Sequence, residues 1–198
     1  MTDSAVIVRP LSRTQAATRR RLLDAARDLA TERGYDGVTV RSVAERAGVS
    51  APTAYQYFTS KDHLLVDVLV DLVGDTTGSL AHRPVEGGTV ADRAAATLRR
   101  AVANVERAPD LYVALTRAYL SGGHDVAHAR DAMEASTQTW IDLALAGAEI
   151  DPDLSEVVES LLFAHMVGLV TGRRTPATMA DDLERAVRTV LRGASRGG

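Results

Sequence analysis

Residues 39–61 contain side chains that can read the edges of DNA base pairs. The amide of Gln56 can form two hydrogen bonds with an adenine, and Ala51, Pro52 or the methyl group of Thr53 can contact the methyl group of a thymine. Because these residues are close together in the chain, one short helix can present all of them to the major groove. Their chemistry is therefore non-covalent recognition of a base sequence.

The same segment holds residues suited to DNA phosphates. Tyr57 and Lys61 can donate hydrogen bonds to phosphate oxygens, and the free N–H groups at a helix start after Thr39 can hold an anion beside Arg41. Two interpretations remain open for Tyr55 and Tyr57, whose rings can contact DNA or fill the core of a small domain. The predicted DNA-contacting residues are Thr39, Arg41, Ser50, Ala51, Pro52, Thr53, Tyr55, Gln56, Tyr57 and Lys61.

Two short helices joined by a tight turn must position these side chains. Thr39 and Ser50 are favourable N-cap residues, so each predicts a helix start. Gly48 can adopt the positive φ that a steep crossing between the two helices requires. We expect Ala54 and Phe58 to face the core, which leaves the other side of the second helix for DNA. This arrangement is a helix-turn-helix.

The spacing Gly-Val-Ser-x-x-Thr-x-Tyr-x-Tyr-Phe-x-x-Lys, from Gly48 to Lys61, resembles the DNA-binding signature of the TetR family of bacterial repressors. The likeness begins near Arg20 and continues to Leu65. The sequence departs from the family pattern at Pro52, Ala54 and Gln56, where glycine, leucine and a basic residue are common. These departures predict an operator sequence different from those of close relatives.

The rest of the chain carries no pattern typical of an enzyme. The whole chain has 198 residues, of which 45% are hydrophobic and 25% are charged, and this composition is ordinary for a globular protein. The absence of cysteine excludes a disulfide scaffold, a cysteine-ligated metal and a cysteine nucleophile. Neither a nucleophile elbow nor a phosphate loop occurs. His124 and His128 have helical spacing but lack a clear third ligand, so we predict neither a metal nor a cofactor.

Charge is divided unevenly along the chain. Residues 1–63 contain ten basic and seven acidic residues, whereas residues 64–198 contain 13 basic and 19 acidic residues. A basic head on an acidic body suits binding of a polyanion by the head. No segment approaches the ~18 apolar residues that span a bilayer, and no signal peptide is visible. We therefore expect a cytoplasmic protein with no membrane partner.

Helical periodicity predicts an all-α protein of about nine helices. The TetR resemblance implies a three-helix helix-turn-helix head and a larger helical domain for ligand binding and dimerisation. We predict a mobile tail at residues 1–14, the DNA-binding head at 15–62, the larger domain at 63–193 and a frayed end at 194–198.

Family members are dimers, so the resemblance also implies a homodimer on a palindromic operator. The helix predicted over residues 153–174 is apolar on more than one face, and the helix predicted over residues 177–192 has one apolar stripe. These two helices are expected to pack against the partner's copies, although both could instead belong to the core of a monomer. The predicted interface residues are Val158, Leu161, Leu169, Leu183, Val187 and Val190.

The segment from Leu111 to Tyr119 resembles the corresponding part of the actinobacterial repressors of cholesterol catabolism, the KstR type, within a likeness over residues 98–192. That resemblance implies a lipid, steroid or acyl-CoA effector. Arg117 can contact such an effector or pair with an acidic residue of a neighbouring helix. The predicted pocket residues are Leu111, Tyr112, Leu115, Thr116, Arg117, Tyr119, Met133, Thr137, Trp140, Ile141, Leu162, Phe163 and Met166.

Together these patterns predict a DNA-binding transcriptional regulator, by family default a repressor that a small apolar effector releases from its operator. The effector would change the spacing of the two heads through the helix predicted from Lys61 to about Thr77. One alternative is a DNA-binding factor without an effector, which a cavity in the body would disfavour. The remote alternative is a helical enzyme.

Overall fold

A computed structural model describes residues 12–83, 85, 88–121, 123, 126–145 and 152–194 of the chain. Within these ranges, the side chains of residues 128, 133, 137, 140, 144, 152–155 and 192–194 lie outside the description. The predicted tail falls almost entirely on residues 1–11, which also lie outside it.

The described residues form nine α-helices and no strand, so the predicted all-α class is confirmed. The helices are α1 (Arg13–Arg33), α2 (Val40–Ala47), α3 (Ala51–Tyr57), α4 (Lys61–His82), α5 (Val90–Arg107), α6 (Pro109–Ser121), α7 (Ala127–Leu145), α8 (Pro152–Val170) and α9 (Pro176–Ala194). Among the helices of the described residues, none could span a lipid bilayer.

Side-chain caps fix the start of each helix in the head. Ser12 and Thr39 form capping boxes at α1 and α2, and the Ser50 hydroxyl caps α3. Gly48 ends α2 with φ 66° and ψ 37°, the left-handed conformation predicted for this turn. Because the Ser12 cap starts α1 at Arg13, the first helix begins two residues before the predicted start of the head at residue 15.

A continuous apolar core joins the head to the body. Phe58 and Ala54 are buried together with the apolar stripe of α1, so the prediction that they face the core is confirmed. The core continues along α4, which packs against α1 in the head and against α6 and α7 in the body. The predicted boundary after residue 62 therefore falls in the first turn of an uninterrupted helix.

Two helix ends in the body differ from the sequence-based prediction. Helix α4 continues beyond Thr77 to His82, because Leu80 is buried in a second apolar cluster formed with α5, α7, α8 and α9. Helix α8 ends at Val170 instead of Arg174, because Gly172 turns the chain with φ 68° and the Arg174 side chain folds back against Gly168.

Candidate nucleic-acid interface and cavity

Helix α3 presents a polar outer surface opposite its buried side. The Ser50 hydroxyl accepts a hydrogen bond from the Thr53 N–H at 3.2 Å. Pro52, Tyr55 and Gln56 are exposed, whereas Thr53 is half-buried. Ala51 is also half-buried and packs against the core. The predicted base-reading residues thus share one accessible surface, with Gln56 and Pro52 in the most open positions.

The two tyrosines of α3 occupy different environments. The ring of Tyr55 is 53% exposed. Tyr57 is half-buried, packs against the core and has its ring centroid 6.5 Å from that of Phe58. Part of the Tyr57 ring is therefore covered by the core, and Tyr55 has the larger exposed surface for contact with a partner.

The start of α2 lies on the exposed surface of the same small domain. The Thr39 hydroxyl accepts a hydrogen bond from the Ser42 N–H at 3.0 Å, and both Thr39 and Arg41 are exposed. The cap occupies one of the free N–H groups at the helix start and leaves others for an anion. Arg41 adds an exposed positive charge one residue inside the helix.

Lys61 belongs to a cluster that joins the head to the body, which we call the Tyr35 clamp and define as Tyr35, Asp36, Lys61, Asp62 and Arg117. The Lys61 Nζ lies 3.7 Å, and the Arg117 Cζ 4.5 Å, from the centroid of the Tyr35 ring. The Tyr35 hydroxyl donates to Asp62 Oδ1 at 2.7 Å, and Arg117 pairs with Asp36 at 3.0 Å. Burial, followed by the bond to Asp62, raises the pKa of Tyr35 to about 12, so its hydroxyl remains a donor at neutral pH.

A second link between head and body lies along α1 and α4. Arg19 pairs with Asp67 at 2.6 Å, and Asp67 is only 7% exposed. One turn further along α4, Arg20 and Asp71 are 3.5 Å apart, and both are more exposed. These ion pairs fix α1 against the helix that continues into the body.

An apolar cavity of about 100 Å³ lies between α4, α5, α6 and α8 in the body. Five of the predicted pocket residues line it: Tyr112, Thr116, Tyr119, Leu162 and Met166. The other lining residues come from two helices not assigned to the pocket from the sequence, namely Leu69, Leu72, Val73 and Thr76 of α4 and Ala101, Val102 and Val105 of α5. The helical spacing of these residues indicates a buried face. However, the sequence pattern of a face that lines a cavity is the same as that of a face packed in a solid core.

Several predicted pocket residues do not line this cavity. Leu115 and Ile141 are fully buried in packed core, and Phe163 is 46% exposed on the outside of α8. Arg117 belongs to the Tyr35 clamp, so its acidic partner is in the loop after α1, not on a neighbouring helix. Leu111 lines an adjoining groove instead. The side chains of Met133, Thr137 and Trp140 lie outside the described residues.

The groove that adjoins the cavity is polar and has a volume of about 480 Å³. It shares Leu72, Thr76 and Tyr112 with the cavity, and its wall also contains Arg27, Asp75, Arg100 and Arg107. Arg100 donates to the backbone oxygens of residues 79 and 83 at the end of α4. The apolar space is therefore bordered by a polar surface with positive charge.

Most of the predicted interface residues are buried within a single chain. Val158, Leu183 and Val187 are at most 2% exposed, and Leu169 is also buried, because the apolar stripe of α9 packs against α5 and α8. Leu161 and Val190 are half-buried, while Val157 and Phe163 are exposed apolar side chains of α8. The interface residues remain a prediction, of which Leu161 and Val190 are the most accessible in a single chain.

The described residues contain no cluster of three or more histidine, aspartate or glutamate side chains suited to a metal. His124 and the side chain of His128, the pair considered from the sequence, lie outside the described part.

Comparison with known proteins agrees with this architecture. Sequence models of "Bacterial regulatory proteins, tetR family" and "Tetracyclin repressor-like, C-terminal domain" match residues 22–68 and 87–190, respectively. An uncharacterized HTH-type transcriptional regulator of Mycobacterium tuberculosis is 35% identical over 93% of this chain and 85% of its own length. The transcriptional repressor KstR of the same species is 30% identical over 91% of this chain and 83% of its own length.

A solved structure shows the same arrangement of helices. The crystal structure of a TetR transcriptional regulator from Rhodococcus sp. RHA1 has a TM-score of 0.73 and 29% identity, covering 90% of this chain and 97% of that chain. The helix-turn-helix head, the helical body and these sequence matches lead to one conclusion: the chain belongs to the TetR family of bacterial regulatory proteins, which are transcriptional regulators and not enzymes.

Proposed function

We propose that the protein is a transcriptional repressor that binds a palindromic operator as a homodimer and is released by a small apolar effector. The observation that carries this proposal is the position of α4 and α6. Both helices line the apolar cavity, and both contact the DNA-binding head. A molecule that fills the cavity would therefore contact the two helices that pack against the head.

The exposed surface of α3 supports sequence-specific DNA binding. Gln56 would read a base, with Ala51, Pro52 and Thr53 in apolar contact beside it. Thr39, Arg41 and the tyrosines would fix the position of the head through phosphates. Lys61 would share its charge between the Tyr35 ring and a phosphate, so its position on DNA would depend on the Tyr35 clamp.

Two short connections would transmit an effector signal. Thr116 lines the cavity, and the next residue, Arg117, contacts Tyr35 and Asp36 in the head. In α4, Leu69 lines the cavity two turns after Lys61, where the helix leaves the head. An effector that favours a different position of α6 or α4 would lower operator affinity by shifting the population of head orientations.

The cavity wall supports an apolar effector. None of the described residues that line it carries a charge. The 30% identical relative KstR is named as a transcriptional repressor, and a lipid, steroid or acyl-CoA effector is consistent with the apolar wall and the arginines of the adjoining groove. A regulator without an effector is the less favoured alternative, because it gives no reason for a cavity between the helices that carry the head.

A two-fold interface on the outer face of α8 would place two heads on the two halves of a palindrome. Val157 is exposed on this helix and Leu161, one turn later on the same side, is half-buried, while Phe163 is exposed on another side of the helix. Apolar side chains in such positions are typical of a self-complementary interface. Half-sites about one DNA turn, or ~34 Å, apart would then be read by the two copies of α3.

Selection of bound sequences from a random duplex pool tests the DNA-binding part of this proposal. We expect an enriched palindrome whose affinity falls steeply as salt is raised, because phosphate contacts release counterions. The stoichiometry of the complex with that palindrome should be two chains to one duplex. Binding of equal strength to every sequence, or one chain per selected duplex, would contradict the proposal.

A further inference from the structure

Helix α6 presents a row of three hydroxyl groups to the cavity. Tyr112, Thr116 and Tyr119 are spaced i, i+4 and i+7, so they lie on one face of the helix, and all three line the apolar space. At a rise of ~1.5 Å per residue the row extends over roughly 10 Å. The remaining described lining consists of apolar side chains and Thr76.

The hydroxyl of Thr116 is buried without a hydrogen-bond partner. Thr116 is 3% exposed, and its Oγ1 bonds to no described atom. Thr76 of α4, which also lines the cavity, instead donates to the backbone oxygen of Leu72 at 2.9 Å, as threonines in helices commonly do. Tyr112, at 8% exposure, is also buried, and Tyr119 is half-buried.

An unpaired buried hydroxyl destabilises a protein, because it has lost its bonds with water and gained none in return. Valine has the same shape as threonine and would fill the position of Thr116 without this penalty. The unpaired Thr116 hydroxyl at the wall of the cavity therefore needs an external partner. The cavity contents are the partner that the geometry offers.

We propose that the part of the effector inside the cavity is neutral and mainly apolar and carries a hydroxyl or carbonyl oxygen, which exchanges a hydrogen bond with Thr116 between the rings of Tyr112 and Tyr119. This assignment rests on the proposed effector function and specifies the chemistry of the effector. A carboxylate is disfavoured, since no described cation lines the cavity and an unpaired buried charge is strongly destabilising. An apolar cavity of roughly 150 Å³ holds benzene, so the space of about 100 Å³ suits a group of at most one ring.

Three small probes of similar shape test this proposal on the full-length protein. Phenol carries a neutral hydroxyl, toluene has a methyl group in its place, and benzoate carries a charge. Dissociation constants are measured by titration calorimetry and ligand-observed NMR for the wild type, Thr116→Val and Tyr112→Phe. Thr97→Val is the matched control, because Thr97 is also a buried helical threonine but does not line the cavity.

We expect Thr116→Val to weaken phenol binding by about threefold to tenfold, the range typical of one hydrogen bond. Toluene binding should be unchanged, and Thr97→Val should change neither. The wild type should bind benzoate more weakly than phenol. Without a probe, Thr116→Val should melt at a temperature about 2–4 °C higher than the wild type, because it removes the unpaired hydroxyl.

Two results would overturn the proposal in different ways. If toluene and phenol both bind and Thr116→Val weakens neither, or if benzoate is preferred, the cavity accepts ligands but the hydroxyl row does not select them. The proposed effector function would then stand without this assignment. If neither toluene nor phenol binds to the wild type, the cavity is not a ligand site, and the effector function fails with it.

Discussion

The ion pair between Arg19 and Asp67 should stabilise the protein far more than its neighbour between Arg20 and Asp71. The first pair has a 2.6 Å contact, and its Asp67 side chain is 10% exposed. The second has a 3.5 Å contact between side chains that are 60% and 34% exposed. Both pairs join α1 to α4, so substitution of Asp67 and Asp71 compares burial and geometry within one helix–helix contact.

We expect Asp67→Asn to lower the free energy of unfolding by about 1.5 kcal/mol. A hydrogen bond to a charged group contributes roughly 1.5–3 kcal/mol, and the lower end applies because the Arg19 side chain is 34% exposed and can recover water. Asp71→Asn should change the free energy of unfolding by less than about 0.5 kcal/mol, as exposed pairs usually do.

Urea denaturation followed by circular dichroism measures both changes. Arg19 also lies 5.9 Å from the Phe58 ring, so its own substitution removes packing as well as charge. A double-mutant cycle of Arg19→Met with Asp67→Asn separates these effects, and its coupling energy should be at least about 1 kcal/mol. Equal losses for Asp67→Asn and Asp71→Asn, or a coupling energy near zero, would refute the reasoning that burial determines the strength of these links.

Three further predictions concern the turn, the recognition helix and the body. Gly48→Ala should destabilise the protein by about 1 kcal/mol. A Cβ at this position meets nothing within 4 Å, so the loss comes from the left-handed backbone alone. Gly74→Ala, in an exposed helix position, should stabilise the protein by up to about 1 kcal/mol in the same urea assay. Gln56→Ala should change the base preference found by duplex selection while leaving the salt dependence of binding unchanged, and an unaltered preference would remove its base-reading role. Hydrogen bonds from Thr89 and from Arg188 of α9 lower the pKa of Asp92 to about 2, below the ordinary 3.8. The stability from this carboxylate is present above pH 4 and is lost as the pH falls from about 4 towards 2, so an Asp92→Asn variant should show a flatter loss of stability over that range. An identical acid profile for the variant and the wild type would contradict this assignment.

Local signals explain why the head was predictable from the sequence. Thr39 and Ser50 determine helix starts through their own hydroxyls, and Gly48 determines the turn through its backbone. The buried positions of Ala54 and Phe58 follow from the short spacing of the motif. None of these features depends on contacts with distant parts of the chain.

The body was less predictable because its details depend on packing between distant helices. The end of α8 is determined by the turn at Gly172 and the fold of Arg174 over Gly168, not by a residue pattern within the helix. The apolar stripe of α9 predicted an interface, but Leu183 and Val187 are covered by the chain's own helices. Periodicity reports that a face is buried and does not identify what covers it.

The central claim is that the contents of the cavity determine how well the head binds its operator. Val102→Phe fills the cavity without any effector, because Val102 lines it. Ile141→Phe is the control, since it adds an aromatic ring at a buried position of the body that does not line the cavity. Both should reduce stability by about 1–3 kcal/mol through overpacking, so a comparison of the two separates coupling from general damage.

Operator affinity of these two variants, measured at one salt concentration on the selected palindrome, tests this claim most directly. We predict that Val102→Phe lowers the affinity at least about fivefold, the lower end of typical coupling between two sites, while Ile141→Phe stays within about twofold of the wild type. Equal affinities for Val102→Phe and the wild type, with both proteins folded, would contradict the account. They would show that the cavity and the DNA-binding head act independently.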